Sequence, residues 1–228
     1  MDPEPLARLF ARDRLIRILM NFIIANYRGQ ENVKILDVGC GNGFITRELV
    51  NLGIKPENCT GIDLDEQLIE EARNKSPAKM NYLCQRLEDM EDKDTFNIII
   101  TSGFFAYFEN PQVKQISAIL KSKLMAGGLM ISSNYDISWQ QMEAGKLVGL
   151  DYGKDGIRSF DIHNNELNLL LQSEFRHLMR FPHTVGGHQW TQLGELITHP
   201  SKYSEFEFML DSQKMKPTSY IDIYCPAA

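Results

Sequence analysis

The stretch Val33-Lys-Ile-Leu-Asp-Val-Gly-Cys-Gly-Asn-Gly43 is an apolar strand that carries one carboxylate, Asp37, and then breaks into a G-x-G-x-G turn opening a helix. Glycines at such a turn let backbone approach a ligand closely. A dinucleotide fold wants its third glycine one residue later, where the helix terminus meets the pyrophosphate, and that position is Phe44. The loop therefore argues against NAD or FAD. It also lacks the G-K-[ST] ending that cradles a triphosphate, which removes the central residue of an ATPase reading. A ligand without phosphates fits better.

Working outward, the chain alternates. Short apolar runs at Val33 to Val38, Cys59 to Asp63, Asn81 to Cys84, Asn97 to Ile100 and Leu129 to Ser133 are separated by helix-like segments. The helices are expected over about Gly43 to Leu52, Asp65 to Asn74 and Pro111 to Met125, with Gly53, Lys75-Ser-Pro77 and Gly127-Gly128 as the turns that end them. Asp65 is the expected N-cap of the second. Alternating β and α implies a parallel sheet, and right-handed crossovers make it doubly wound.

Upstream, Leu6 to Tyr27 has helical apolar spacing with Arg8, Arg12, Asp13 and Arg17 interspersed. Such a helix either packs on the sheet or covers the site. Downstream, Asp136 to Ser159 holds Gly145, Gly149, Gly153 and Gly156 and reads as a long loop with a short helix near Ser138 to Leu147. A helix over Asn164 to Gln172, a strand over Phe175 to Phe181 and a terminal strand over Tyr220 to Tyr224 follow, with a His-, Trp- and Gly-rich segment, Pro182 to Pro217, between the last two. The fold class expected is α/β: a doubly wound, mostly parallel seven-stranded sheet with helices on both faces, an N-terminal helix, and an insertion before the last strand forming a lid. One domain is expected over residues 1–228, with 1–30 a helical cap, 31–135 the ligand-binding core and 136–228 the substrate-side loops and last strands.

Composition agrees with one core. The 228 residues are 43% hydrophobic and 24% charged, close to an ordinary globular domain, and too few for two independent cores. A net charge of -6 repels a polyanion on average, so no nucleic-acid partner is expected. Cys40, Cys59, Cys84 and Cys225 show neither metal-knuckle nor disulfide-framework spacing, which fits reduced thiols in a cytoplasm. The apolar stretch Leu15 to Ala25 is interrupted by Arg17 and Asn21 and is too short for a membrane span or a signal h-region.

From Val33 through Ser133 the sequence resembles the class I, Rossmann-like S-adenosylmethionine-dependent methyltransferases, and small-molecule methyltransferases in particular. ILDVGCGNG reads as that family's first motif, and Cys59-Thr-Gly-Ile-Asp-Leu-Asp65 places Asp63 where the family's acidic residue grips both ribose hydroxyls. The run ILKSKLMAGGLMISS from Ile119 resembles the family's helix, double-glycine turn and fifth strand. The resemblance implies S-adenosyl-L-methionine as cofactor, S-adenosyl-L-homocysteine as product, and cofactor contacts from Asp37, Gly39, Gly41, Gly43, Asp63, Leu64, Leu87, Glu88, Ser102 and Gly103. Gln85-Arg-Leu-Glu-Asp89 departs from the commonest pattern, with Arg86 where many relatives have Asp. Contact to the adenine amino group then comes either from Glu88 or from the backbone at Leu87.

Methyl transfer from a sulfonium is an in-line displacement, so the protein aligns the nucleophile and removes a proton where the acceptor needs it; no metal is required. Candidate bases are His163, His183 and His188, since imidazole titrates near neutrality; His177 and His199 fit less well. Tyr107, in Gly103-Phe-Phe-Ala-Tyr-Phe108, stands where many small-molecule relatives carry a histidine and is expected to face the acceptor. Tyr135, Trp139 and Trp190 are candidate aromatic walls. The strand end Thr101-Ser-Gly-Phe104 lacks the N-P-P-[YF] signature of base and amide N-methyltransferases. The leading expectation is O-methylation of a metabolite or natural-product intermediate by a monomer or homodimer. Methylation of protein or RNA, and a catalytically inactive cofactor-binding partner subunit, are the alternatives.

Overall fold

The computed structural model describes residues 3–27, 32–91, 93–135, 164–183 and 219–227. Seven strands form one sheet in the order β3-β2-β1-β4-β5-β7-β6. These are β1 Ile35–Val38, β2 Cys59–Asp63, β3 Asn81–Cys84, β4 Phe96–Ser102, β5 Leu124–Tyr135, β6 Phe175–His183 and β7 Ser219–Pro226. The first five pair in parallel, and β7 runs antiparallel between β5 and β6. The expected mostly parallel α/β sheet is the observed one. The shared carboxyl ends of β1 and β4, where strand order reverses, form the edge at which open α/β sheets bind ligands.

Five helices accompany the sheet among the described residues: α1 Pro3–Tyr27, α2 Phe44–Asn51, α3 Glu66–Lys75, α4 Asn110–Ser122 and α5 Asn164–Leu171. Strand alternation divides the core by face. Leu36, Val38, Ile99 and Met130 pack with Val113 and Ile116 of α4 and Leu167 and Leu171 of α5. Ile35, Ile98, Ile100 and Ile131 pack with Leu15, Leu19 and Ile23 of α1 and Ile45 and Leu49 of α2. Burial on both sides explains why β4 reads as an unbroken apolar run and not as an alternating one. From Leu15 to Tyr27, α1 is therefore a packing helix, fastened at its end by Tyr27, whose hydroxyl donates to the Asn97 carbonyl at 3.1 Å. No helix of the described residues is long and apolar enough to cross a membrane.

One boundary is corrected. The fourth helix was expected to run to Met125 with Gly127-Gly128 as a turn, but α4 ends at Ser122 and the strand begins at Leu124. Lys123 is the reason: its backbone N–H still bonds Ile119 and Leu120, while its buried ammonium donates to the carbonyls of Met90 and Glu91 at 3.0 and 2.8 Å. Leu124 then pairs with Phe96 before the register jumps to Ile98 opposite Leu129. The glycine pair lies in this bulge, with Gly127 at a φ of +75°. The short helix expected near Ser138 to Leu147, and most of the two downstream loops, lie outside the described residues.

Candidate functional site

After β1 the chain turns through Gly39 to Asn42 and enters α2. The turn is clamped to β2 by the N–H groups of Gly39 and Cys40, which both donate to the Ile62 carbonyl at 2.9 and 3.0 Å. Behind it stands the buried Tyr82 of β3, whose hydroxyl lies 2.8 Å from Thr46 Oγ1 and donates to the Gly43 carbonyl at 3.3 Å. Gly43 has a φ of +70°, and a Cβ there would collide with the Tyr82 ring. That glycine is a packing requirement. Gly41 also has positive φ, yet a Cβ built on it meets nothing within 4 Å, and the same holds for Gly103 after β4. These two positions offer bare backbone to open space at the ligand edge. Asn42, between Gly41 and Gly43, is tied to α3 by a 3.0 Å bond from Nδ2 to Glu71 Oε1. Hydrogen bonds from Lys75 and Asn42 hold the Glu71 carboxyl below its ordinary value.

Asp63 closes the space from the β2 side. Its Oδ2 accepts the Gly41 N–H at 2.8 Å and its Oδ1 accepts the Asp65 N–H at 3.0 Å, which fixes its aim. Each oxygen retains acceptor capacity, an arrangement suited to a vicinal diol. Leu64, 65% exposed, forms an apolar lip beside it. Asp65 caps α3 as expected, accepting the N–H groups of Gln67 and Leu68 at 2.9 and 3.1 Å.

The remaining cofactor candidates are placed unequally. Asp37 is wholly buried on the face of Ile35, beneath the loop. Burial first, and the Asp37 charge second, push the Cys59 thiol up to about 12 and raise that of Cys40 as well. Leu87 sits on a one-turn 3-10 helix, Leu87–Asp89, with its side chain in the core, so only its backbone is available to a ligand. Glu88 and Arg86 are exposed. Ser102 is half-buried, and the Gly103 N–H donates to the Ser133 carbonyl at 2.8 Å.

On the acceptor side, Tyr107 ends a 3-10 turn, Phe105–Tyr107, directly after β4 and is 50% exposed. His183 is the last residue of β6, opposite Ser219, three strands and roughly 14 Å from β4. His163, His188 and His199 lie outside the described residues, as do Trp139 and Trp190; for Tyr135 only its backbone, at the end of β5, is described. His177 is held away from this edge, with Nε2 2.8 Å from Oδ1 of the buried Asp222, which Arg180 Nε also approaches at 2.7 Å. This ion-paired group on β6 and β7 escaped the reading of the sequence, because its members are 45 positions apart. So did a line of polar groups on β4 and β5, Thr101, Ser132 and Asn134; its signal is the Ser-Ser-Asn that ends the apolar β5 run. A cavity of about 150 Å³ lined by Lys34, Asn58, Thr60 and Asn81 lies at the amino ends of the strands, away from all of these residues.

Residues 35–128, from the glycine strand to the β5 bulge, match the family model described as a methyltransferase domain. Over these residues the chain is similar to class I S-adenosylmethionine-dependent methyltransferases. The chain is 26% identical over 123 residues to malonyl-[acyl-carrier protein] O-methyltransferase of Bacillus anthracis, covering 54% of this chain and 45% of that one. It is 31% identical over 121 residues to ubiquinone biosynthesis O-methyltransferase of Rickettsia typhi, covering 52% and 47%. The match thus spans about half the length of these curated relatives. In fold it resembles an S-adenosylmethionine-dependent methyltransferase from Clostridium acetobutylicum, with a TM-score of 0.65 at 12% identity over 95% of this chain and 92% of that one. The geometry fits the cofactor of the class: open glycines at both strand ends, an aimed carboxylate for a ribose, and an apolar lip for a base.

Proposed function

We propose that this protein is a methyltransferase that transfers a methyl group from S-adenosylmethionine to a hydroxyl oxygen of a small-molecule acceptor, a metabolite or natural-product intermediate. The observation that carries the reading is the Asp63 carboxylate, held by the Gly41 N–H beside the open position Gly41, with Gly103 likewise open after β4. The cofactor supplies an electrophilic methyl group on a sulfonium. Asp63 takes the ribose hydroxyls with its remaining lone pairs, Leu64 and the Leu87 backbone border the adenine, and Ser102 and Gly103 border the methionine end. Tyr107, in the turn directly after β4, would then stand on the side of the transferred methyl group. Alignment is the chief contribution available to the protein in such a displacement. The similarity to proteins named O-methyltransferases supports oxygen as the acceptor atom. The net charge of -6 supports a small molecule over a polyanion.

The lid belongs to this proposal. From Tyr27, bonded at the level of Asn97, a helix running along the strands climbs roughly 18 Å to Leu15. Asn97 to Ser102 spans roughly 17 Å of strand. On that geometry the first turns of α1, Pro3 to Arg14, would reach past the carboxyl edge and serve as the lid. Free thiols at all four cysteines fit a cytoplasmic setting, and a monomer or homodimer completes the reading. The test is S-adenosylhomocysteine release from a panel of phenols, alcohols, RNA and unfolded protein. Release with a hydroxylated small molecule is expected; release with the polymers alone would contradict the proposal.

A further inference from the structure

At the carboxyl edge, β4 and β5 carry buried polar groups that the cofactor reading leaves unused. Thr101 and Ser132, both wholly buried and paired in register, meet through their hydroxyls. Thr101 Oγ1 donates to Ser132 Oγ at 2.8 Å, and the Ser132 hydroxyl donates to the Thr101 carbonyl at 3.5 Å. Asn134, two residues on along the same face, donates from Nδ2 to that Ser132 oxygen at 2.8 Å. With the Ser132 proton committed to Thr101, the serine oxygen can receive only a donor from Asn134. This fixes the carboxamide with its nitrogen toward the sheet and Oδ1 turned away.

Asn134 is 7% exposed, and among the described residues no group donates to its Oδ1. It stands one residue past the Ser102 and Ser133 pair, level with Gly103, where a Cβ would meet nothing within 4 Å. A carbonyl oxygen that is not itself closed off, beside open space, is available to a hydrogen-bond donor from whatever fills that space.

Resting on the methyl-transfer reading, we propose that Asn134 is the acceptor-positioning residue and that its Oδ1 receives the O–H of the nucleophile, so the acceptor is a neutral alcohol or phenol and not a carboxylate. A carboxylate would set oxygen against oxygen there. As the oxygen–methyl bond forms and the sulfur–methyl bond breaks, the hydroxyl proton leaves to water; the amide orients the group and takes no proton.

The test compares wild type, Asn134→Leu and Asn134→Asp on catechol against benzoate and hexanol against hexanoate, with cofactor affinity measured calorimetrically in parallel. The hydroxyl member of at least one pair is expected to turn over and the acids are not. Asn134→Leu should raise the KM of that hydroxyl acceptor by about tenfold or more, with a smaller change in kcat and cofactor affinity within about twofold. Asn134→Asp keeps an oxygen in place and should recover most of the lost KM. Turnover of the acids, turnover of neither class, an unchanged KM in Asn134→Leu, or no recovery in Asn134→Asp overturns the assignment. Wild type that fails to bind S-adenosylmethionine overturns the proposed function instead.

Discussion

The groups proposed to frame the cofactor side come mainly from one stretch, Ile35 to Glu88, with Ser102 at the end of β4 and Gly103 after it. Those that frame the acceptor side come from Tyr107 and Asn134, with His163, His183 and His188 as sequence candidates further on. The first side is a turn whose conformation its own glycines impose and which neighbouring strands clamp by backbone bonds. The second is assembled from strand ends and loops distant in sequence. A local device of the first kind leaves a motif, whereas an assembled surface of the second kind leaves only scattered polar residues.

Substitutions can break this distinction, and the largest effect belongs to Gly43→Ala. Strained positive φ and the collision with Tyr82 should together cost about 3 kcal/mol or more in chemical denaturation. Gly41→Ala adds a methyl to open space and should cost only about 1 kcal/mol of stability, while weakening S-adenosylmethionine binding far more than its stability loss explains. If both variants unfold alike, the division of the loop into a packing glycine and a ligand-facing glycine fails.

Removal of residues 1–14, which include the proposed lid, sharpens the contrast from the other side. Acceptor turnover should fall by about a hundredfold, with cofactor affinity nearly unchanged; an unaltered turnover would remove the lid.

A third prediction concerns pH. The Cys59 thiol is raised from 9.0 to about 12 in the folded chain, chiefly by burial, and Cys40 and Tyr224 are raised by burial too. Groups with a raised folded pKa contribute their full stability below the unfolded value and lose it as pH climbs toward the folded one. Thermal stability should therefore fall between pH 9 and 12, with a slope on the order of 1 kcal/mol per pH unit for each group. Cys59→Ala should show a shallower decline than wild type.

The smallest effect is expected for Tyr107→Phe. Loss of one half-exposed hydroxyl should change acceptor KM by about fivefold at most and leave cofactor binding alone. A large loss of cofactor binding would place Tyr107 on the wrong side of the comparison.

What could be read in the sequence follows the same division. The β/α alternation, the Asp65 cap and the glycine turn were legible because strand periodicity, capping chemistry and positive φ are each properties of a few adjacent residues. The end of α4 was not, because it depends on Lys123 reaching carbonyls 33 and 32 positions away. Nor was Asn134, since the orientation of its amide is set by Thr101 on another strand, 31 residues before the Ser132 to which both bond. The His177, Arg180 and Asp222 group was missed for the same reason.

Calorimetric titration of S-adenosylmethionine into wild type, Asp63→Ala and Asp63→Asn tests the central claim most directly. Two hydrogen bonds to a charged acceptor predict that wild type binds and that Asp63→Ala binds at least about a hundredfold more weakly, with Asp63→Asn in between. Equal affinity in all three would contradict the assignment of Asp63 to the ribose and, with it, the reading of the glycine loop.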